Sequence, residues 1–393
     1  MSLDSRPRPE TTPAPAGDRA PVTYVVRRED DFPFDSVEYA DLHRRAGSPP
    51  FQHGAWLSEL YDVLAPRRRA RKVVVTVRDA HDGRLVLVLP LVGLRRGMLR
   101  VLEYANLGVS DYAVPVVDPR DVADLLGDQA LVRQIRESLG PFDLLQIAHV
   151  PDVPDTFLAL LAGARASRHS YSAHTVDLAA TVELWRSSLD PSFARHLERK
   201  FKRLRPRGEH RLRLVDDPSE LESLMRRMQR FRAARFAERG GTDLVQDPDC
   251  FAFYVAAIRR SLTAGLGRLA AFEVAGEPAA VVFDLVDEST ELFVLVGYDF
   301  ERLRNASLGL LVVTELAGAA IVRNLRHFDL TVGDEAYKAD FGARPRPLYE
   351  VRVCRTPLGS AGAVSRDTYL AARRVAKRVV SSRRDRRARR QSA

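Results

Sequence analysis

Residues 328–342 read FDLTVGDEAYKADFG and hold the most informative chemistry in the chain. A strand-like apolar run ends at Val332–Gly333, and Asp334, Glu335, Tyr337 and Lys338 follow at once. Moving an acyl group from a thioester to an amine needs a neutral amine, stabilisation of an oxyanion and a proton for the departing thiolate. The Tyr337 phenol can give that proton. Asp334 and Glu335 can take one from the amine, directly or through water, and Lys338 can steady developing negative charge or a phosphate. The plainer alternative is a polar surface turn in which Lys338 pairs with a glutamate.

The elements that must position these groups come in two similar sets. In the first, Val73–Val77 and Arg84–Val92 alternate β-branched and aliphatic residues around the turn Asp82–Gly83, a hairpin signal. A strand at Leu99–Tyr104, a helix at Arg120–Leu139 and a strand at Asp143–Ala148 follow. In the second, Arg268–Val274 and Pro278–Val286 flank a turn at Ala275–Glu277; a strand at Glu291–Val296, a helix at Ala306–Leu325 and a strand at His327–Val332 come after it. The hairpin turn precedes the late strand by 61 residues in one copy (Asp82 to Asp143) and by 52 in the other (Gly276 to Phe328), which points to a structural repeat. In each copy the late strand returns parallel to the third through a right-handed crossover. Between the copies, Leu221, Leu224, Met225, Met228 and Phe231 recur at helical spacing as a core-facing stripe, and Pro248–Leu262 is a further helix. The helix Ala306–Leu325 is apolar almost all round, with Glu315 its only charge before Arg323, so burial on both sides is expected.

A family resemblance rests on residues 297–342. Tyr298 lies on the third strand, Ser307 and Gly309 start the helix, and Asp329, Gly333, Glu335, Tyr337, Lys338, Phe341 and Gly342 follow at fixed spacing. This pattern resembles the CelD-like branch of the GNAT superfamily, the acetyltransferases associated with cellulose and exopolysaccharide. More distantly it is similar to the Fem-type aminoacyltransferases. Leu308 stands where the family prefers proline. The loop Asn106–Tyr112 resembles the family's Asp-Tyr loop in the first domain, and the basic helix Phe193–Arg205 its arginine-rich element; together the likeness covers about residues 70–345.

The resemblance implies an acyl-CoA cosubstrate and no metal. Its pyrophosphate would sit on the helix start at Arg304, Ser307 and Gly309, where the helix dipole favours an anion, beside the strand residues Val296 and Tyr298. Arg302 adds positive charge, while an ordinary Ser-capped helix start explains Ser307 as well. Tyr337 is then the acid, with Glu335, Lys338 and Asp334 around it, past the point where a GNAT sheet splays apart. Asp111, Tyr112 and Asp329 are assigned to the acceptor side, with Asp111 equally suited to capping the turn before a Tyr112–Val117 strand.

The chain has 393 residues, a net charge of +9 and two cysteines, Cys250 and Cys354, both expected in the core. Two cysteines build no disulfide framework or thiolate metal site, the nine histidines lack ligand spacing, and a reducing cytoplasm follows as the expected location. No apolar run reaches the ~18–20 residues that span a bilayer. Residues 366–393 contain eleven Arg/Lys and two Asp, so they carry the whole excess charge. With Tyr369, Leu370, Val375, Val379 and Val380 among the bases, this tail suits peripheral contact with an anionic membrane, RNA, or a solubilising role. The stretch 195–213 adds nine basic residues that suit the CoA 3′-phosphate, tRNA or an anionic glycan-lipid, or simply form a solvated face.

The expected fold is α/β (an α+β mixed sheet) in two tandem GNAT-like domains with a helical connection. The divisions are a disordered Pro-rich lead-in at 1–22, domains at 23–178 and 179–356, and a basic tail at 357–393. The expected activity is direct N-acyl transfer from acyl-CoA to a small-molecule, glycan or peptide amine. A tRNA-dependent aminoacyltransferase and a non-catalytic scaffold at the membrane are the alternatives; oligomeric state is left open.

Overall fold

The computed structural model describes residues 23–152, 155–161, 163–304, 306–369 and 372; the expected lead-in at 1–22 and the basic run from Arg373 to Arg390 lie outside them. The first half contains β1 (Tyr24–Arg28), α1 (Val37–Ala46), α2 (Gly54–Glu59), α3 (Ala65–Arg67), β2 (Arg71–Asp79), β3 (Leu85–Arg96), β4 (Leu99–Tyr104), β5 (Val116–Val117), α4 (Val122–Gly127), α5 (Gln129–Ser138), β6 (Leu144–Pro151), α6 (Asp155–Leu160) and β7 (Arg165–Asp177). The second contains α7 (Val182–Ser188), α8 (Pro191–Leu204), β8 (His210–Leu214), α9 (Leu221–Arg239), α10 (Pro248–Thr263), β9 (Gly267–Val274), β10 (Glu277–Val286), β11 (Thr290–Tyr298), α11 (Leu308–Val322), β12 (His327–Val332), α12 (Tyr337–Asp340) and β13 (Arg344–Cys354).

These elements form two GNAT-like halves in tandem, with a mixed sheet that runs unbroken through both. Its order is β1-β2-β3-β4-β6-β13-β7-β12-β11-β10-β9-β8, with β5 added beside β3. Each half repeats the antiparallel hairpin and a parallel return: β4 pairs with β6, and β11 with β12. The join lies at the centre. β7, from the first half, pairs with β12 of the second, whereas β13, the last strand, inserts between β6 and β7. Pairing therefore continues across residues 178–179, where the sequence reading placed a boundary.

Burial explains the strand composition. Every residue of Val73–Val77 and Leu85–Val92 is buried, so both faces of this hairpin are covered and its apolar run is continuous rather than alternating. In β10, Val281, Phe283 and Leu285 face one cluster with α9 and α10, while Ala280 and Val282 face another with α7, α8 and α11. The two-residue period of a strand thus divides the second half into two layers.

Three local expectations are corrected. The single helix at Arg120–Leu139 is two, because the Asp128 side chain accepts from the N–H groups of Ala130 and Leu131 and starts a new helix there. The strand expected at Tyr112–Val117 shrinks to Val116–Val117, since the Tyr112 and Val114 carbonyls are taken by Gln52 Nε2 and Tyr104 Oη. Cys250 is buried, but Cys354 is exposed where β13 leaves the core.

Candidate active site

The parallel strands β11 and β12 pair over only three residues, from Thr290↔His327 to Leu292↔Asp329, and then part. An irregularity on each side re-aims the chain, as bulges do. In β11 the register with β10 skips Val294; in β12 it jumps from Asp329↔Thr175 to Val332↔Ala173, and Thr331 takes a left-handed φ of 56°. A β-branched residue in that region is strained, so it persists only where its surroundings over-determine it.

The gap opens into a cleft of about 910 Å³. Val296 and Tyr298 line it from β11, Arg304, Ser307 and Gly309 from the start of α11, and Glu335, Tyr337 and Lys338 from the turn after β12. Eight residues from three separate elements, all singled out from sequence, are thereby brought together.

At the helix start, Ser307 is left-handed (φ 55°, ψ 43°) and its hydroxyl makes no capping bond, so the ordinary Ser-capped start is not what forms. The first N–H groups of a helix lack intrahelical partners, and here they open on the cleft. A side chain at Gly309 would bring a Cβ 3.4 Å from Tyr298 Oη, which packs beneath the helix start. Arg304 stacks over the Phe300 ring at 4.9 Å and lies 3.6 Å from Glu238. Arg302 is held by Asp299 instead and does not line the cleft.

On the opposite wall, burial pushes the Tyr337 hydroxyl up to about 12; the Glu335 charge adds to this and Arg235 opposes it. The phenol is therefore a proton donor throughout the neutral range. Lys338 is 2% exposed. Its ammonium donates to Thr331 O at 3.1 Å and Gly333 O at 2.9 Å, and meets Glu335 Oε2 at 3.1 Å. Three hydrogens meet three acceptors, so Lys338 pairs with a glutamate as the plainer alternative had it, yet from inside the protein. Gly333 is required here: at φ 122° its missing Cβ would lie 2.7 Å from the Glu335 carboxylate. Asp334 points elsewhere. Its Oδ1 accepts from the Ser172 N–H at 3.1 Å and faces His174 Nε2 at 3.0 Å, outside the cleft. Burial raises its pKa, but these contacts outweigh that and lower it overall.

The first half contributes through the loop before β5. In the wedge between β4 and β6, parallel pairing likewise stops after Glu103↔Gln146. There the Ala113 N–H donates to His149 O, and Ala113 and Tyr112 are buried, so this loop fills the space that stays open in the second half. The same loop delivers Asp111 to the β12 bulge, where Thr331 is its hydrogen-bond partner. Burial pushes the Asp111 carboxyl up to about 6, against Thr331 and Lys338, with Glu335 adding to the rise. Tyr112 and Asp329 do not line the cleft. The Tyr112 hydroxyl lies 2.9 Å from both Asp329 oxygens, the Thr331 N–H donates to Asp329 at 2.7 Å, and Arg346 lies 3.8 Å away. Burial raises the Asp329 pKa despite these partners. The pair fastens the loop to β12.

Two cleft groups escaped the sequence reading. Arg235, on α9, stacks over the Tyr298 ring at 5.7 Å, and Thr331 was hidden inside a strand. Neither had a local signal, since the spacing that relates them to Asp111 exists only after folding. Among the described residues, no group of three or more His, Cys, Asp or Glu is arranged to hold a metal ion, and no helix is long and apolar enough to cross a membrane.

Residues 191–339 match a family model described as an acetyltransferase (GNAT) domain. No curated protein sequence matches the chain. Among solved structures, FemX aligns with a TM-score of 0.53 at 11% identity, over 79% of this chain and 94% of its own. L-PGS from Bacillus licheniformis aligns with a TM-score of 0.50 at 12% identity, over 87% of this chain and 98% of its own. At such identities these likenesses establish the fold.

Proposed function

We propose that this chain is an N-acyltransferase that moves an acyl group from acyl-CoA to an amine. The observation that carries the reading is the three-residue pairing of β11 with β12, which leaves a cleft between parallel strands with a helix N-terminus at its mouth. The residues present fit the donor. The α11 start with Ser307 and Gly309, flanked by Arg304 and Arg235, suits its phosphates, and Val296 and Tyr298 suit its extended arm. Bound there, the thioester supplies an activated acyl carbon and a thiolate leaving group. Tyr337 is placed to give the thiolate its proton. Asp111, rather than Asp334, is the carboxylate placed to take a proton from the amine, while Glu335 lies at the entrance and Lys338 holds the turn. Titration calorimetry with acetyl-CoA tests the reading: saturable binding supports it, and no binding sinks it.

A pH prediction follows from Asp111. A base with a pKa of about 6 is protonated and idle below that value, so acceptor kcat/KM should rise with pH through about 6. Asp111→Asn should remove this limb and lower kcat/KM by about 100-fold at pH 7.5. A limb that survives the substitution would assign the base elsewhere.

The motif at 328–342 carries the finer likeness to the CelD-like branch, which favours an acceptor in envelope, exopolysaccharide or specialised-metabolite biosynthesis. The enzyme would act in the cytoplasm, with the basic tail as its contact with an anionic membrane. One observation favours a second reading, a donor carried on tRNA: Arg199, Lys200, Lys202, Arg203, Arg205 and Arg207, on and just after α8, have no ion pair recorded among the described residues. Salt-sensitive tRNA binding together with no acetyl-CoA binding would decide for it.

A further inference from the structure

Thr331 has a counterpart in the first half. His149 lies on β6 just past the end of its parallel pairing with β4, as Thr331 lies on β12 past the end of its pairing with β11, and both are left-handed (φ 62° and 56°). The repeat has thus kept the strained bulge in both halves, although only one half keeps an open cleft. In the second half the bulge side chain meets Asp111. In the first, His149 turns toward β7, where its Nε2 lies 3.0 Å from Tyr171 Oη. His169 stacks on the Tyr171 ring at 4.8 Å, so that ring is held from two sides.

The proton arrangement follows from burial. Desolvation lowers the His149 pKa and keeps its imidazole neutral, with one donor and one acceptor nitrogen. Nδ1 is buried, with the Ser110 carbonyl nearby though not aligned for a full bond, which favours the proton on Nδ1. Nε2 then accepts from the Tyr171 hydroxyl and leaves the tyrosine oxygen free to accept from something else. Tyr171 and Tyr254 both lie within the electrostatic reach of Asp111. Tyr254 is buried in the α9–α10 layer, and no hydrogen bond of its hydroxyl is recorded among the described residues. Asp111, Tyr171 and Tyr254 therefore present acceptor oxygens on the face of the sheet opposite α11. The cations around them are engaged: Lys338 in the turn, Arg346 with Asp152 and Asp329, and Arg366 with Glu350.

We propose that Asp111, Tyr171 and Tyr254 form the acceptor site, that this site captures its amine as an ammonium ion, and that His149 is a positioning residue holding the Tyr171 oxygen ready to accept from it. The proposal rests on the acyl-transfer reading and gives it a substrate class: cationic amines without a nearby carboxylate, which the acidic face would repel. It also gives the duplicated bulge a function, since both halves then act on one site from the two sides of the sheet.

The test uses the full chain, acetyl-CoA as donor, n-butylamine as acceptor probe and n-butanol as its neutral isostere, with thiol release as the readout. Tyr171→Phe and His149→Phe should each raise the butylamine KM by about tenfold, as loss of a hydrogen bond to a charged group does. The acetyl-CoA KM should stay within twofold. His149→Gln, whose side-chain oxygen can accept where Nε2 does, should recover most of the loss, which a merely structural histidine would not allow. n-Butanol should neither react nor compete. An unmoved butylamine KM, an equal rise in both KM values, or competition by butanol as strong as by butylamine would each overturn the proposal. If acetyl-CoA binds and the amine behaviour fails in one of these ways, only the acceptor site is lost. If acetyl-CoA does not bind at all, the acyl-transfer reading falls and takes this proposal with it.

Discussion

Replacing Tyr337 by phenylalanine should lower kcat by about 100-fold and leave acetyl-CoA affinity nearly unchanged. General acid catalysis by a placed side chain contributes about 10²–10⁴-fold. A thiolate is a weak base and leaves readily, so the lower end of that range applies. The geometry separates this loss from a folding effect. The Tyr337 ring packs edge-on against Phe341 with centroids 6.4 Å apart, and phenylalanine keeps that contact. Because the hydroxyl is pushed up to about 12 by burial first and then by Glu335, the wild-type enzyme should show no loss of kcat from tyrosine ionisation between pH 7 and pH 10. A kcat that is unchanged in Tyr337→Phe, with thiol release measured directly, would remove the phenol from the mechanism.

Lys338→Met should cost about 2–4 kcal/mol of stability, which places it among the more damaging single changes available near the cleft. The methionine matches the side-chain length but returns nothing to the carbonyls of Thr331 and Gly333, which the ammonium now satisfies at 3.1 and 2.9 Å. It also releases Glu335 from its 3.1 Å contact. Denaturant unfolding should show a lower midpoint with an unaltered slope, and turnover should fall because Thr331 and Tyr337 lie at the two ends of the same turn. The outcome decides between two roles. Loss of turnover at full stability would mean that Lys338 acts on the reacting groups; loss of both means that it builds the turn that carries them.

Much of this arrangement is legible in one dimension. The hairpins, the apolar α11 and the parallel returns of both halves follow from hydrophobic period, turn residues and order. The run from Phe328 to Gly342 locates the opening of the sheet, because a strand that ends in glycine before a phenol and two carboxylates has few other uses. The Met225–Met228 stripe is core, as its spacing implies. Roles within the motif were less legible. Asp334, Glu335 and Lys338 are neighbours in sequence, yet one faces β7, one the cleft and one the interior. A turn of five residues points its side chains in directions that local sequence does not specify.

Residue type and spacing by themselves determined that this chain forms two similar α/β halves and that Tyr337 sits at a sheet opening in the second. Only the tertiary structure decided which half stays open, which carboxylate reaches the opening, and that β7 and β13 weld the halves together. The first-half wedge is closed because residues 105–113 fold into it, and the same fold carries Asp111 to Thr331, 220 residues further along the chain. The physical reason is that hydrophobic period and turn chemistry act over a few residues. A buried carboxylate's partner and pKa depend instead on atoms that only long-range strand pairing brings within a few ångströms.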